Sequence, residues 1–258
     1  MVARAVGASF MKAAAPAIFW LSAVALLASW ELSLWLPNYL RYWLLLNLGA
    51  SFWLARFFTR PELGRGAARG DQLAFVVFNV SFFYWLLWLD FAWAKYALPW
   101  LLGLVLFYLL GGFLQNRPER RLPLRLVFFL GGTFFCASAA FGLLTVLGLP
   151  LWLALLLFLA AFAGLSWPVI FYWSGPPPAL LAGYLAMLLL AAETFSVLIW
   201  LPFTEVTLGL MLVIVVLAVY DLLKYFIAPA LFVRRLVVKK IIIYGVFLML
   251  ILASTPWL

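Results

Sequence analysis

Long, uninterrupted apolar runs dominate the chain, and short segments between them hold most of the charged residues. The runs, such as 20–27 and 151–162, lack the alternation of polar and apolar residues that marks the strands of a membrane barrel. Because backbone polar groups in lipid need internal partners, such runs form helices. The pattern predicts an all-α, polytopic transmembrane helix bundle that forms a single integral membrane domain over residues 1–258.

The apolar runs divide into nine predicted spans, most of them near the length of about 20 residues that crosses a bilayer. Their approximate limits are 13–33, 39–58, 73–93, 96–114, 126–147, 151–173, 180–201, 203–227 and 241–252. The first is interpreted as an uncleaved signal anchor, and the ninth is short enough either to cross fully or to lie along the surface.

Leu-Pro pairs recur at four of the turns between spans, which suggests four tandem hairpins plus a final helix. Two intervening loops also share an Arg-Pro-Glu sequence. Either the chain contains an internal duplication, or the pairs reflect abundant Leu and the suitability of Pro at the start of a helix. The pairs are Leu36-Pro37, Leu98-Pro99, Leu149-Pro150 and Leu201-Pro202, and the loop sequences begin at Arg60 and Arg117.

The basic residues are distributed unevenly between the two sides of this predicted topology. One side holds 15 of the 17, and only Arg41 and Lys95 lie opposite. Since the cation-rich side is normally cytoplasmic, we expect a cytoplasmic (inner) membrane protein with its N-terminus inside and its C-terminus outside. Topology therefore accounts for the net charge of +9 without nucleic acid as a partner.

Composition narrows the chemistry further. The chain is 69% hydrophobic and 10% charged, and it contains no His and one Cys. These counts exclude His-ligated haem, His-based zinc sites, cysteine metal clusters and nucleophiles activated by His. We predict no catalytic residues, no metal and no cofactor. Six of the 14 Trp residues lie at predicted helix ends, where Trp anchors membrane proteins to the interface: Trp30, Trp35, Trp43, Trp93, Trp100 and Trp200.

Glu193 is the unusual residue, because an acid within a membrane helix is costly and normally faces protein or water. Counted from Pro202, it is predicted to lie about 12 Å below the outer end of its helix. It either binds a proton or cation, or it holds helices together through hydrogen bonds with the help of Thr194 and Ser196.

Glu205 opens the eighth predicted span, where a negative charge favours the positive end of the helix dipole. Thr204 and Thr207 flank it. Because spans seven and eight form a predicted hairpin, these residues and Glu193 are candidates for one polar pocket at the outer mouth.

The remaining charged candidates lie at helix ends. Asp221 and Lys224 are three residues apart, a spacing that permits an ion pair on one helix face, and Asp90 and Lys95 flank a turn where they are expected to pair. A further set of cations is expected to bind anionic lipid headgroups at the cytoplasmic face. These candidates are Arg60, Arg65, Arg69, Arg117, Arg120 and Arg121.

Three hypotheses for function follow from these features. The first is a non-enzymatic structural or assembly subunit that packs against membrane protein partners. The second is a small transporter or lipid-handling protein with an outer-facing acidic pocket around Glu193. The third is an enzyme that acts on lipid-linked substrates, but the chain has only eight Asp and Glu residues, which are scattered over both faces.

Overall fold

A computed structural model describes residues 2–56, 65–89, 92–114, 121–173, 175–227 and 233–255. Within these ranges the fold is all-helical, with no strands. The helices are α1 (Val2–Trp35), α2 (Leu40–Arg56), α3 (Arg65–Trp88), α4 (Ala92–Leu114), α5 (Arg121–Leu147), α6 (Leu151–Ile170), α7 (Pro177–Leu198), α8 (Glu205–Ile227) and α9 (Arg234–Ser254), with a 3-10 turn at Pro37–Tyr39 between α1 and α2.

Six of these helices are long and apolar enough to cross a membrane. They comprise most of α3 and α5 and the whole of α6, α7, α8 and α9. Shorter apolar helical segments cover Phe19–Trp35 and Trp93–Leu106. The all-helical fold predicted from the sequence is thereby confirmed, and these six helices have the length and composition of membrane spans. The count of nine crossings and their direction stay predictions.

The ninth helix is longer than its predicted span of 241–252. It begins at Arg234, directly after Val233 in an extended conformation (φ −122°, ψ 104°), and it is 21 residues long. Arg and Lys are good helix formers, so the basic segment joins the helix although it is not part of the apolar run. At about 1.5 Å per residue, α9 is therefore long enough to span the hydrocarbon core.

The chain divides into two compact units, residues 1–120 and 121–258. In the first unit α1 packs against α2, α3 and α4, and α2 also packs against α3. The fully buried Trp30 of α1 meets Phe82 of α3 with ring centroids 4.7 Å apart. The fourth helix, α4, packs against α1 in this unit. The tandem duplication predicted from the Leu-Pro pairs stays a prediction.

In the second unit, α5 to α8 form a closed four-helix bundle in which each helix packs on the next and α5 also packs on α8. The ring of Phe195 on α7 stacks between Phe141 of α5 and Phe158 of α6, at 4.3 and 4.9 Å between centroids. α9 packs against α8 at the outside of this bundle. One aromatic side chain therefore joins three of the four bundle helices.

Small residues let these helices approach closely. A Cβ atom added at Gly132 of α5 would lie 2.6 Å from Leu165 Cδ2 of α6. A Cβ atom at Gly209 of α8 would overlap Ser138 Oγ of α5 and lie 3.2 Å from the backbone nitrogen of Ser138. Cys136, one helical turn after Gly132, is buried.

Candidate functional site

Glu193 lies in a row of exposed residues along α7, where exposed means not covered by the described residues of the second unit. The row repeats every four residues, and its side chains are open along the whole helix; Leu189 and Val197, on either side of Glu193, are 61% and 65% exposed. We call this set the α7 row; it consists of Leu181, Leu185, Leu189, Glu193 and Val197.

The neighbouring face of α7 is the packed one. It carries Gly183, Met187, Ala191 and Phe195, all of them buried. The two rows share the same period but differ in residue type, because Gly and Ala allow helices to approach closely whereas the exposed positions are mostly Leu. Glu193 thus projects from the face of α7 that the bundle leaves uncovered.

The polar neighbours of Glu193 bond to their own helix. Thr194 Oγ1 donates to the carbonyl of Leu190 at 2.7 Å, and Ser196 Oγ donates to the carbonyl of Ala192 at 2.8 Å. Among the described residues, Glu193 has no hydrogen-bond or ion-pair partner. Neither hydroxyl therefore donates its proton to the carboxylate.

The depth of Glu193 differs from the sequence estimate. α7 ends at Leu198 rather than near Pro202, so Glu193 lies five residues before the helix end. At 1.5 Å per residue this corresponds to about 8 Å, rather than about 12 Å, from the end of the helix. The carboxylate lies on a face of α7 whose other exposed side chains are apolar.

The second acid, Glu205, has a specific partner on another helix. Thr145 Oγ1, near the end of α5, donates to Glu205 Oε1 at 2.8 Å. Thr204 Oγ1 accepts the backbone N–H of Thr207 at 3.4 Å and lies 3.0 Å from Thr207 Oγ1, which gives the first turn of α8 a side-chain cap. Thr204, Glu205 and Thr207 therefore lie together at the start of α8.

Thr145 was not among the sequence candidates. The available signal was its position as a polar residue in the last turn of an otherwise apolar helix. In the described part of the chain, no hydrogen bond or ion pair joins the Glu205 cluster to Glu193, Thr194 or Ser196. The structure therefore gives the two acids separate surroundings.

Asp221 pairs with α9 rather than with its neighbour on α8. Lys240 Nζ lies 2.8 Å from Asp221 Oδ2, and the Tyr244 hydroxyl donates a hydrogen bond to the same oxygen. The predicted partner Lys224 lies one turn further along α8, and the ion pair in the structure goes to Lys240 instead. We call Asp221, Lys240 and Tyr244 the α8–α9 clamp.

The remaining charged candidates are only partly covered by the structure. Lys95 Nζ approaches the carbonyl of Leu87, near the end of α3, at 3.5 Å. Arg69 is exposed on α3. Four others, Asp90, Arg60, Arg117 and Arg120, lie outside the described residues, and Arg65 and Arg121 are described only as helical backbone positions.

The first unit contains a buried set of polar side chains that the sequence analysis did not identify. Asn47 Nδ2 of α2 donates to Ser29 Oγ of α1 at 3.1 Å, and Asn79 Nδ2 of α3 donates to the carbonyl of Phe75 at 2.7 Å. Ser51 of α2 is fully buried too. The Oδ1 atoms of both Asn residues and Ser51 Oγ have no partner in the described structure. Asn within an apolar run was the available signal.

These observations limit what the described residues do chemically. They contain no group of three or more His, Cys, Asp or Glu side chains that could hold a metal ion. Comparison with protein-family models, characterised proteins and solved structures finds no match.

Proposed function

We propose that this protein is a non-enzymatic subunit of a membrane complex and that it binds a helix of another membrane protein through the α7 row. The observation that supports the proposal is Glu193, an exposed carboxylate with no partner among the described residues, set in a row of exposed apolar side chains. The partner helix supplies a hydrogen-bond donor or a cation opposite Glu193.

The energetics of lipid favour this interpretation. A charged side chain at the centre of a membrane helix costs about 2.5–3.5 kcal/mol on insertion scales, and the cost for Glu193, five residues before the end of α7, is lower. The leucines of the α7 row gain little by leaving lipid for a protein surface, because lipid is as apolar as Leu. Glu193 is therefore the residue whose surroundings improve most on association, and it determines which partner and which register are accepted.

The other acids of the second unit support a structural role for acidic residues. Glu205 is bonded to Thr145 of α5, and Asp221 is bonded to Lys240 of α9, so both join pairs of helices. An enzyme acting on lipid-linked substrates needs two carboxylates at one cleft. The three acids instead have three different surroundings, which supports assembly over acid and base catalysis.

The proposal includes a topology of nine crossings in the cytoplasmic membrane with the N-terminus inside. Its support is the asymmetry of the basic residues, of which 15 of 17 fall on one side of such an arrangement. In this orientation the end of α7, and with it Glu193, lies in the outer half of the bilayer. Single cysteines replacing Arg41 and Arg69 test it: a membrane-impermeant thiol reagent should label the first from outside and the second only after lysis.

The test of function is purification of the tagged full-length chain from its native membranes in mild detergent. We expect a stoichiometric membrane protein partner that is lost with Glu193→Leu. The matched control is Glu205→Gln, which neutralises an acid that has its own partner on α5. A photo-crosslinking residue at Leu189 should form an adduct with that partner, and the same residue at Leu222, exposed on α8, should not.

Two results would contradict the proposal. One is a partner that stays bound in Glu193→Leu and is not crosslinked from Leu189. The other is a chain that purifies without a stoichiometric partner and has a proton-dependent transport or lipid-transfer activity that Glu193→Gln abolishes. The second result would establish the transporter or lipid-handling alternative.

A further inference from the structure

A shallow groove of about 690 Å³ runs along the first half of α9. Its polar end carries three cations, Arg234, Arg235 and Lys239, and its apolar wall includes Ile242 and Ile243. All five side chains are exposed. The groove is separate from the α7 row, because its described lining residues all lie on α9.

The three cations are not neutralised by the described part of the chain. The fourth basic residue of the segment, Lys240, is paired with Asp221, whereas Arg234, Arg235 and Lys239 have no acidic partner among the described residues. Val233 provides no side-chain cap to the first turn of α9. The positive end of the helix dipole therefore adds to the same local positive potential.

The order of residues along α9 matches the order of groups in a phospholipid. The cations occupy the first six residues of the helix, within about 8 Å of its start, and Ile242 and Ile243 follow about 12–14 Å along the axis. Arg and Lys side chains extend towards the headgroup level while their stems cover apolar surface. A phosphate at the cations and an acyl chain against the isoleucines fit this sequence of charge and apolar surface.

We propose that the α9 groove binds one anionic phospholipid, with its phosphate held by Arg234, Arg235 and Lys239 and an acyl chain lying along Ile242 and Ile243. Charge complementarity favours an anionic over a zwitterionic headgroup. The apolar wall favours an intact lipid over free phosphate, which has no group to occupy that part of the groove. The assignment does not depend on the proposed partner of α7.

The test is native mass spectrometry of the purified full-length chain in detergent micelles, titrated with dioleoyl phosphatidylglycerol or dioleoyl phosphatidylcholine. We expect one tightly retained phosphatidylglycerol and no comparable phosphatidylcholine adduct. Because each Lys or Arg near an anionic membrane surface is worth about fivefold in binding, Arg234→Gln/Arg235→Gln should weaken phosphatidylglycerol retention at least about tenfold.

The control variant is Arg41→Gln/Lys95→Gln, which lowers the net charge equally but leaves α9 intact. It should retain phosphatidylglycerol as the unmodified chain does, and inorganic phosphate at the same concentration should not displace the lipid. Equal retention of the two lipids, equal losses in the two double variants, or displacement of the lipid by phosphate would each overturn the assignment.

Discussion

The α8–α9 clamp predicts an asymmetry between two substitutions that break the same ion pair. Lys240→Met removes the cation and leaves Asp221, which is 14% exposed, with Tyr244 as its remaining described partner. Asp221→Asn removes the acid and leaves Lys240, which is 41% exposed and able to extend into water. We expect Lys240→Met to loosen α9 more than Asp221→Asn does.

The magnitudes follow from what each variant leaves behind. Removing one partner of a fully buried ion pair costs about 3–5 kcal/mol, because the other charge stays buried without compensation. Because Lys240 is partly exposed, breaking its ion pair with Asp221 costs less than breaking a fully buried one, and we expect Lys240→Met to cost about 2 kcal/mol. In Asp221→Asn the amide oxygen still accepts from Tyr244, and exchanging a charge-assisted hydrogen bond for a neutral one costs about 1 kcal/mol.

The assay is thiol labelling of Val237→Cys in a Cys136→Ala background. Val237 is 8% exposed and belongs to the face of α9 that also carries Lys240 and Tyr244, so labelling requires α9 to move away from α8. When closing is faster than labelling, the ratio of observed to intrinsic labelling rate gives the free energy of local opening. The clamp variants should therefore raise the labelling rate in the order Asp221→Asn and then Lys240→Met.

Equal rates in the two variants, or the reverse order, would refute the reasoning. The double variant supplies the internal control, since residues in direct contact are coupled. If its effect equals the sum of the two single effects, the ion pair carries no coupling energy and another contact holds α9.

Three further predictions concern the interior of the units and are checked by reversible unfolding in mixed micelles. Phe195→Ala should cost about 3 kcal/mol, the lower end of the range for Phe→Ala in soluble cores because lipid also solvates the ring well, and Phe195→Leu should recover part of it. Gly209→Ala should cost about 1–3 kcal/mol by forcing α8 away from α5, and Ser138→Gly should relieve it. Asn47→Leu should cost about 1 kcal/mol because it removes a hydrogen bond between α1 and α2, whereas Asn79→Leu should be nearly neutral because its amide bonds only to its own helix.

The helices and the membrane class were predictable because both depend on local composition. A continuous apolar run needs no tertiary information to be identified as a helix in lipid. Relying on apolar runs also explains why the start of α9 was missed. The charged residues between Arg234 and Lys240 are not apolar, but they are good helix formers and belong to the helix. Hydropathy locates the hydrocarbon part of a helix, and the helix itself continues into the charged segment.

The orientation of Glu193 was only partly accessible from the sequence. Every face of α7 is apolar, so hydrophobic periodicity does not distinguish the packed face from the exposed one. Small residues give only part of the distinction: Gly183 and Ala191 lie in the buried row together with Met187 and Phe195, whereas Leu185 and Leu189 lie in the exposed row. Glu193 continues the leucine row, which assigns it to the uncovered face.

The ion-pair partner of Asp221 could not be predicted from the sequence. Sequence spacing reveals pairs three or four residues apart on one helix, which is why Lys224 was the predicted partner. The pairing with Lys240 requires α9 to fold back against α8, and this depends on tertiary packing. Asp221 lies six residues before the end of α8, and Lys240 lies six residues after the start of α9. The two residues are therefore equally far from the facing ends of their helices, so they can meet once α9 folds back.

Two of the three described acids of the second unit are bonded to a neighbouring helix, and this bears on Glu193. Glu205 joins the start of α8 to the end of α5, and Asp221 joins α8 to α9, so each acid is bonded to a donor on a neighbouring helix. Glu193 has the same chemistry and the same need for a donor, but the helices around α7 leave its face open. Because lipid provides no donor, the pairing that attaches α9 to α8 supports the proposal that a helix of another chain packs against the α7 row.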